Sequence, residues 1–259
     1  MTWDHHTGFA FASAVLWILG IIPAWNRVRK YYLWTIITYA AGIVVYAVFI
    51  GGLWVSQQRP PLATMGEVRL WYTLFLSFAG LITYMKWKFP WILPLSTVMA
   101  LVFSALNILR PQIHSHVLMP ALQSIWFIPH VTVYMFSYGL LACSFLLAVV
   151  GFFRPNDPIM PAIDKLTRAG FAFFTIGMLL GSIWARLAWG DYWTWDPKET
   201  WAAVTWLLYL LFFHIRKSQP EARKKMYLVL VLAFLSLQIC WYGFQYLPGA
   251  QTSLHNYAL

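Results

Sequence analysis

The residues best suited to bind a ligand form one short aromatic stretch, residues 189–201. It reads Trp-Gly-Asp-Tyr-Trp-Thr-Trp-Asp-Pro-Lys-Glu-Thr-Trp, and five of its thirteen residues are aromatic. Aromatic faces stack on flat ligands, and indole N–H groups can reach the polar edge of such a ligand. We call this stretch the Trp-rich loop and predict that it contacts a flat, amphipathic molecule.

A simpler interpretation explains part of the Trp-rich loop. Asp196 suits the N-cap of a helix, Pro197 its first position and Glu199 its third. Tryptophans at a membrane face also form the ordinary interfacial belt. The belt does not explain why four aromatic rings crowd onto so few residues before this helix start, so both interpretations remain open at this point.

The segments that must position the Trp-rich loop are strongly apolar. The 259-residue chain is 61% hydrophobic and 10% charged, which is typical of a polytopic membrane protein. We therefore predict an all-α membrane helical bundle with about eight transmembrane helices. Segments long enough to cross about 30 Å of hydrocarbon are residues 8–25, 32–55, 68–86, 89–109, 130–153, 168–189, 198–216 and 226–247.

The distribution of basic residues predicts the orientation of this bundle. Alternate connections, residues 26–31, 86–88, 154–168 and 216–225, hold 13 of the 18 Lys and Arg residues. Such connections face the cytoplasm under the positive-inside rule. Both termini and the Trp-rich loop are then expected on the outer side.

Composition also bounds the organisation and the function class. We expect a single membrane domain, 1–259, with an N-terminal four-helix part, 1–110, and a second part, 111–259, that holds the Trp-rich loop. The net charge of +10 is explained by the basic residues that set the orientation of the chain in the membrane, so no nucleic-acid partner is expected. The lack of a Walker motif argues against nucleotide binding. Cys143 and Cys240 form no C-x-x-C pair and are expected to be packing residues.

Histidines on the outer side could supply ligands to a metal or to haem iron. His130 follows Pro129 at the start of the fifth segment, and His255 lies in the tail, residues 248–259. These positions let two imidazoles approach the Trp-rich loop from opposite sides, as two-histidine ligation of haem iron requires. A single surface histidine is more often solvated, and we expect this of His114 and His116, or contact with a partner.

Two further residues have both a functional and a structural explanation. His214 lies inside the seventh segment, about 25 Å from Pro197 along a helix. An ionisable side chain there is a functional candidate, although it could also reach lipid headgroups. Arg186 could bind a propionate in the bidentate manner of guanidinium groups, or it could pair with Asp191 or Asp196.

The pattern Trp-Gly-x-x-Trp-x-Trp-Asp-Pro-Lys-Glu-Thr-Trp resembles the WWD signature of the membrane haem-handling proteins of cytochrome c maturation. Its ending, residues 197–201, most resembles the CcsA/ResC branch, the system II cytochrome c synthase subunit. The related haem-delivery protein CcmC usually continues differently after the aspartate. The resemblance covers mainly residues 126–259.

This resemblance implies a function and a set of site residues. His130 and His255 match the outer haem ligands, while His214 matches an inner ligand whose opposite ligand belongs to a ResB/CcsB-type partner. The implied cofactor is haem b, bound transiently and non-covalently. Residues implied to contact haem are Trp189, Gly190, Tyr192, Trp193, Trp195, Asp196, Pro197, Lys198, Glu199 and Trp201, with Arg186 as propionate partner.

The resemblance also implies partners, an activity and a location. Haem would be presented to the C-x-x-C-H segment of an apocytochrome c, with haem lyase activity only in complex with the ResB/CcsB-type partner. A thiol-reducing, thioredoxin-like protein is a further implied partner. The implied location is the bacterial cytoplasmic (inner) membrane, with the plastid thylakoid membrane as the alternative. Alternative functions are CcmC-type haem delivery without ligation and a two-histidine electron-transfer cytochrome.

Overall fold

The computed structural model describes residues 1–26, 28–110, 120–154, 158–247 and 253, and helices dominate these residues. The described parts of the chain contain no β-strand, so the all-α prediction is confirmed. The long helices are α1 (His6–Ile21), α2 (Arg29–Gln57), α3 (Met65–Trp87), α4 (Ile92–Leu109), α5 (Phe127–Phe153), α6 (Met160–Trp189), α7 (Pro197–Ser218) and α8 (Arg223–Trp241).

The chain divides into two compact units, and the first unit, Met1–Val117, contains α1 to α4. Its main helix contacts join α1 to α2, α2 to α3, α3 to α4 and α4 to α1. Some of the buried polar groups inside it are paired across helices, and this pairing lowers the cost of placing a polar group in an apolar interior. Tyr39 on α2 contacts Thr97 on α4 at 2.7 Å between hydroxyl oxygens, and the Asn107 amide donates to the Gly66 carbonyl at 3.0 Å.

The second unit, Leu118–Leu259, is arranged around α5. Helix α5 packs on both α6 and α8, and α7 packs chiefly on α8. Helix α7 also meets α6 through two polar contacts. The Trp206 indole donates to the Thr175 hydroxyl at 3.0 Å, and the Arg216 guanidinium pairs with the Asp164 carboxylate at 3.0 Å. The second unit therefore holds α6 and α7, and with them both ends of the Trp-rich loop.

Seven helices in the described parts of the chain are long and apolar enough to cross a membrane, one fewer than the predicted eight. Helix α7 is the exception, although its 22 residues have sufficient length. Its first turn holds Lys198 and Glu199 and its last turn Arg216 and Lys217, which lowers its apolar character. The chain is thus an integral membrane protein, while the crossing of α7 and the outward orientation of both termini stay predictions.

Two predicted segment boundaries were wrong by more than five residues. Helix α6 begins at Met160 rather than at residue 168, because its first turns carry charged residues such as Asp164, Lys165 and Arg168 and so extend beyond the apolar run. Helix α8 ends at Trp241 rather than at residue 247. A short 3-10 helix, Gly243–Tyr246, follows it, so the apolar composition continues beyond the regular helix.

Candidate functional site

His130 lies in the first turn of α5, and its imidazole lies in the space left by Gly181 of α6. Its Nδ1 atom is 2.8 Å from the carbonyl oxygen of Gly177. A Cβ atom placed on Gly181 would lie 2.5 Å from the Cε1 atom of the His130 ring. Glycine at position 181 is therefore what allows the imidazole to lie directly against the α6 backbone.

The contact with Gly177 determines the tautomer of His130. A carbonyl oxygen only accepts hydrogen bonds, so Nδ1 must carry the hydrogen and donate it. In the neutral ring, Nε2 then carries the lone pair, which is the form that binds a metal. This is also the pattern by which a second hydrogen bond orients metal-ligating histidines.

Trp184 connects His130 to the Trp-rich loop. The Trp184 ring stacks on the His130 ring with centroids 5.6 Å apart and an interplanar angle of 25°. It also meets Trp189 edge to face at 4.7 Å. The Trp184 indole N–H donates to the Ala121 carbonyl at 2.8 Å, and the residue is 1% exposed. A continuous set of aromatic contacts therefore joins the α5 histidine to the first residue of the Trp-rich loop.

The Trp-rich loop leaves α6 and enters α7 through two left-handed backbone positions. Helix α6 ends at Trp189, and Gly190, with φ 95°, is its C-cap. Glycine adopts this conformation without steric cost. Trp195, with φ 60°, adopts a left-handed conformation that is costly for a bulky residue. Such strain often marks a functional position.

The start of α7 holds the loop by the predicted capping box. The Asp196 carboxylate accepts from the Lys198 backbone N–H at 2.9 Å. One oxygen of Glu199 accepts from the backbone N–H groups of Thr194 at 2.7 Å and of Asp196 at 3.3 Å, and from the Thr194 hydroxyl at 3.3 Å. Because Glu199 is only 8% exposed, these bonds are shielded from water and fix the loop before the helix.

Replacing Glu199 with glutamine is expected to lower the free energy of unfolding by about 1 kcal/mol. The amide oxygen can still accept from the loop, but it carries no negative charge, and charge-assisted hydrogen bonds are stronger. The exposed Glu221 provides the matched control, Glu221→Gln, which should be neutral. Thermal unfolding of the three proteins in detergent measures the difference. Equal transitions for both variants would show that Glu199 does not hold the loop.

The aromatic rings of the Trp-rich loop present both faces and polar edges. Tyr192 and Trp195 are 60% and 70% exposed. Trp193 meets Trp195 edge to face at 5.8 Å. The indole nitrogen of Trp193 is buried and has no hydrogen-bond acceptor among the described residues. A buried donor without an acceptor is costly, and a polar group of a bound ligand would remove that cost.

Arg186 does not form either of the ion pairs considered from the sequence. Its guanidinium lies over the ring of Tyr192, 5.7 Å from the centroid. The described residues contain no ion pair between Arg186 and Asp191 or Asp196. At an exposed site such a cation–π contact contributes about 0.5–1 kcal/mol. Its role as a propionate partner stays a prediction.

The tail meets the Trp-rich loop at Ser253. The Ser253 hydroxyl donates to the Asp196 carboxylate at 3.0 Å, and both residues are 7% exposed. His255 lies outside the described residues, as do His114 and His116. Sequence reasoning missed both Ser253 and Trp184. Trp184 could have been suspected from its position about one helical turn before Trp189, whereas nothing in the sequence distinguishes Ser253.

His214 lies apart from this group, near the other end of α7. Its side chain is exposed, and its carbonyl accepts from the Ser218 hydroxyl at 2.8 Å. The Arg216–Asp164 ion pair lies two residues further on. Cys143 and Cys240 are both buried and unoxidised, in agreement with a packing role. The structure thus brings together His130, the Trp-rich loop and Ser253, and leaves His214 on the surface of its unit.

The chain is similar to proteins of cytochrome c assembly and biogenesis. A family model described as cytochrome C assembly protein matches residues 62–250. The cytochrome c biogenesis protein CcsA of Panax ginseng is 30% identical over 311 residues, covering 97% of this chain and 94% of the relative. CcsA of Solanum lycopersicum is 29% identical over 301 residues with the same coverage. CcsA of Chlamydomonas reinhardtii is 32% identical over 226 residues, covering 79% of this chain and 62% of the relative.

One solved structure has a closely similar fold. The cytochrome c haem lyase CcmF aligns with a TM-score of 0.73 at 16% sequence identity, covering 93% of this chain. The aligned part is 47% of CcmF, so this chain spans about half of that protein. At this identity the likeness concerns the fold alone.

Proposed function

This chain belongs to the cytochrome c assembly protein family, and from that membership we propose that it holds haem at the Trp-rich loop and presents it for covalent attachment to apocytochrome c. The relatives named CcsA are cytochrome c biogenesis proteins, and the similarly folded CcmF is a cytochrome c haem lyase. We place the protein in a bacterial cytoplasmic membrane, with the thylakoid membrane as the alternative.

The geometry of His130 is the observation that carries this proposal. Its Nδ1 atom donates to the Gly177 carbonyl, so that Nε2 is the unprotonated nitrogen of the neutral ring, which is the form that binds a metal. Its ring is also held by stacking on Trp184 and by edge contact with Tyr134 at 4.7 Å. A histidine that is oriented in this way in an apolar setting is prepared to bind a metal in one fixed direction.

The second proposed ligand, His255, follows Ser253 by two residues. Ser253 itself donates to the Asp196 carboxylate in the Trp-rich loop at 3.0 Å. The proposed ligands come from α5, where His130 stacks on Trp184, and from the tail, which contacts the loop at Ser253. This supports a two-histidine haem site in the second unit.

The Trp-rich loop is proposed to contact the plane and the edge of haem. The exposed rings of Tyr192 and Trp195 offer aromatic faces, and Trp193 offers a buried indole N–H for which the described residues provide no acceptor. Gly190, at φ 95°, turns the backbone so that the loop can approach a ligand closely. Arg186, whose guanidinium lies over Tyr192, is proposed as the partner of a haem propionate, since guanidinium groups bind carboxylates in a bidentate manner.

In the proposed reaction, haem is the substrate and supplies the reactive vinyl groups. Each cysteine thiol of the apocytochrome adds across one vinyl group, so that a carbon–sulfur bond forms and the thiol hydrogen moves to the other vinyl carbon. No oxidant or reductant is consumed in this addition. The residues of this chain orient haem and hold it at a fixed distance from the incoming C-x-x-C-H segment. Holding the two reactants in this geometry speeds the addition of the thiols.

His214 is proposed as a ligand of a second, inner haem site. Its exposed position leaves it accessible to another protein, and a ResB/CcsB-type membrane protein would supply the opposite histidine. The neighbouring Arg216–Asp164 pair fixes this end of α7 against α6. Haem would therefore enter at the interface with the partner and be transferred to the outer site.

The test is co-expression with a ResB/CcsB-type partner and a reporter that carries a C-x-x-C-H segment, in a host without its own cytochrome c maturation. We expect haem to become covalently attached to this reporter and not to a matched S-x-x-S-H reporter. Bound haem without thioether formation would instead indicate CcmC-type delivery. A reversible redox reaction with quinol, again without attachment, would indicate an electron-transfer cytochrome, and either result would contradict the proposal.

A further inference from the structure

The face of α6 that meets His130 carries three residues at helical spacing, Gly177, Gly181 and Trp184. Residues three or four positions apart lie on one face of a helix. Gly177 offers its carbonyl oxygen to Nδ1 of His130, and Gly181 leaves space for the edge of the ring. Trp184 stacks on the same imidazole, with ring centroids 5.6 Å apart and an interplanar angle of 25°. One helix face thus supplies an acceptor, a space and an aromatic surface to a single histidine.

One hydrogen bond does not fix the plane of an imidazole. The bond from Nδ1 to Gly177 defines the direction of the N–H group, but the ring can still turn about that line. Such turning would move Nε2, because the two ring nitrogens point in different directions. A contact on a face of the ring is needed to select one orientation of Nε2, and the stacked indole of Trp184 is a contact of this kind.

Trp184 is itself held from several sides. It is 1% exposed, and its indole N–H donates to the Ala121 carbonyl at 2.8 Å. Its ring packs against Phe127 of α5 at 5.1 Å between centroids and meets Trp189 edge to face at 4.7 Å. Because these contacts come from separate segments of the second unit, the indole forms a fixed wall for the imidazole and also touches the first residue of the Trp-rich loop.

We propose that Trp184 is a positioning residue that sets the plane of the His130 imidazole, and with it the direction in which Nε2 meets haem iron. Through its contact with Trp189, it also links this orientation to the Trp-rich loop. The inference rests on the proposed haem site. It goes further by assigning a role to a residue that lies outside the Trp-rich loop and offers no ligand atom.

The first experiment needs no haem. In the full chain labelled with nitrogen-15 histidine, the His130 signal is identified by its loss in His130→Ala, and NMR measures the tautomer and the order of the ring. Trp184→Leu keeps apolar volume but has no flat face, so the population of other ring orientations should rise about fivefold, as expected for the loss of one aromatic pair. Trp184→Phe keeps a flat face and should remain within about twofold of the original protein.

Trp17→Leu is the matched control, because Trp17 is an equally buried tryptophan of the first unit. It should leave the His130 signal unchanged, which separates a specific effect from general loss of stability. An unchanged ring order in Trp184→Leu would overturn the inference. Equal loss of order in Trp184→Phe and Trp184→Leu would also overturn it, since the flat face would then not be what orients the ring.

The link to the loop is tested in the same haem-free protein. Trp189→Leu removes the edge contact with Trp184 and should raise the population of other His130 orientations about twofold, because only one supporting contact is lost. No change in this variant would show that the ring orientation does not depend on the loop.

The haem-loaded protein with its ResB/CcsB-type partner gives the second readout. Rotation of an axial imidazole about its bond to iron changes the energies of the iron d orbitals. The electron paramagnetic resonance signal of low-spin ferric haem should therefore be broader in Trp184→Leu than in the original protein and in Trp184→Phe. If haem never binds but the ring order depends on Trp184, only the proposed function fails. If haem binds and both readouts ignore Trp184, only this inference fails.

Discussion

Replacing His130 with alanine is expected to abolish the low-spin, two-histidine absorption spectrum of haem bound to the purified protein with its partner. The change removes the Nε2 lone pair, whose direction is fixed by the bond from Nδ1 to Gly177. Tyr134, the polar side chain in contact with this ring, is a poor replacement for a neutral imidazole at haem iron. His255→Ala should weaken the same spectrum, because the second ligand is lost.

The control for this result is His5→Ala, which removes an exposed histidine of the first unit. It should leave the spectrum unchanged. Added imidazole should restore a low-spin spectrum to His130→Ala, because the cavity left by the ring keeps its other walls. A low-spin spectrum that persists in His130→Ala without imidazole would show that our ligand assignment is wrong. If added imidazole fails to restore the spectrum in a His130→Ala protein whose thermal unfolding matches that of the original protein, the ligand assignment is also wrong.

Replacing Gly181 with alanine is expected to reduce haem occupancy at least tenfold and to lower the free energy of unfolding by about 2 kcal/mol. The new Cβ atom would lie 2.5 Å from Cε1 and 2.7 Å from Nδ1 of the His130 ring. Real contacts are never this short, so the ring must move. It would then lose its bond to Gly177 and its stacking on Trp184, and Nε2 would no longer be oriented.

Gly51→Ala provides the matched control, because no heavy atom lies within 4 Å of the new Cβ at that position of α2. It should raise helix stability slightly, since alanine favours helix over glycine by up to about 1 kcal/mol. Haem titration and thermal unfolding in detergent measure both variants. If Gly181→Ala binds haem as the original protein does, the close approach of α5 and α6 is not what orients His130.

Much of this architecture could be predicted from local sequence. The helical segments follow from long apolar runs, and the start of α7 follows from Asp196, Pro197 and Glu199, whose side chains need only their own backbone neighbours. The early start of α6 could not be predicted from apolar runs, since its first turns contain Asp164, whose ion pair with Arg216 forms only in the folded protein.

The sequence does not reveal the long-range contacts that bring the candidate site residues together. Gly177 and Gly181 could be expected to suit close packing, but only the structure shows that the side chain against Gly181 is the imidazole of His130. Ser253 is an ordinary serine in the sequence, and its partner Asp196 is 57 residues away. Such long-range pairs depend on the packing of whole helices, which no local pattern encodes.

The left-handed backbone at Trp195 makes this residue a point where stability and activity trade against each other. A large side chain in this conformation costs on the order of 1 kcal/mol or more, and the ring recovers little of that cost because it is 70% exposed. Glycine would remove the cost and the ring together. Variants selected for heat resistance would therefore tend to lose the aromatic side chain here, whereas variants selected for maturation of cytochromes would retain it.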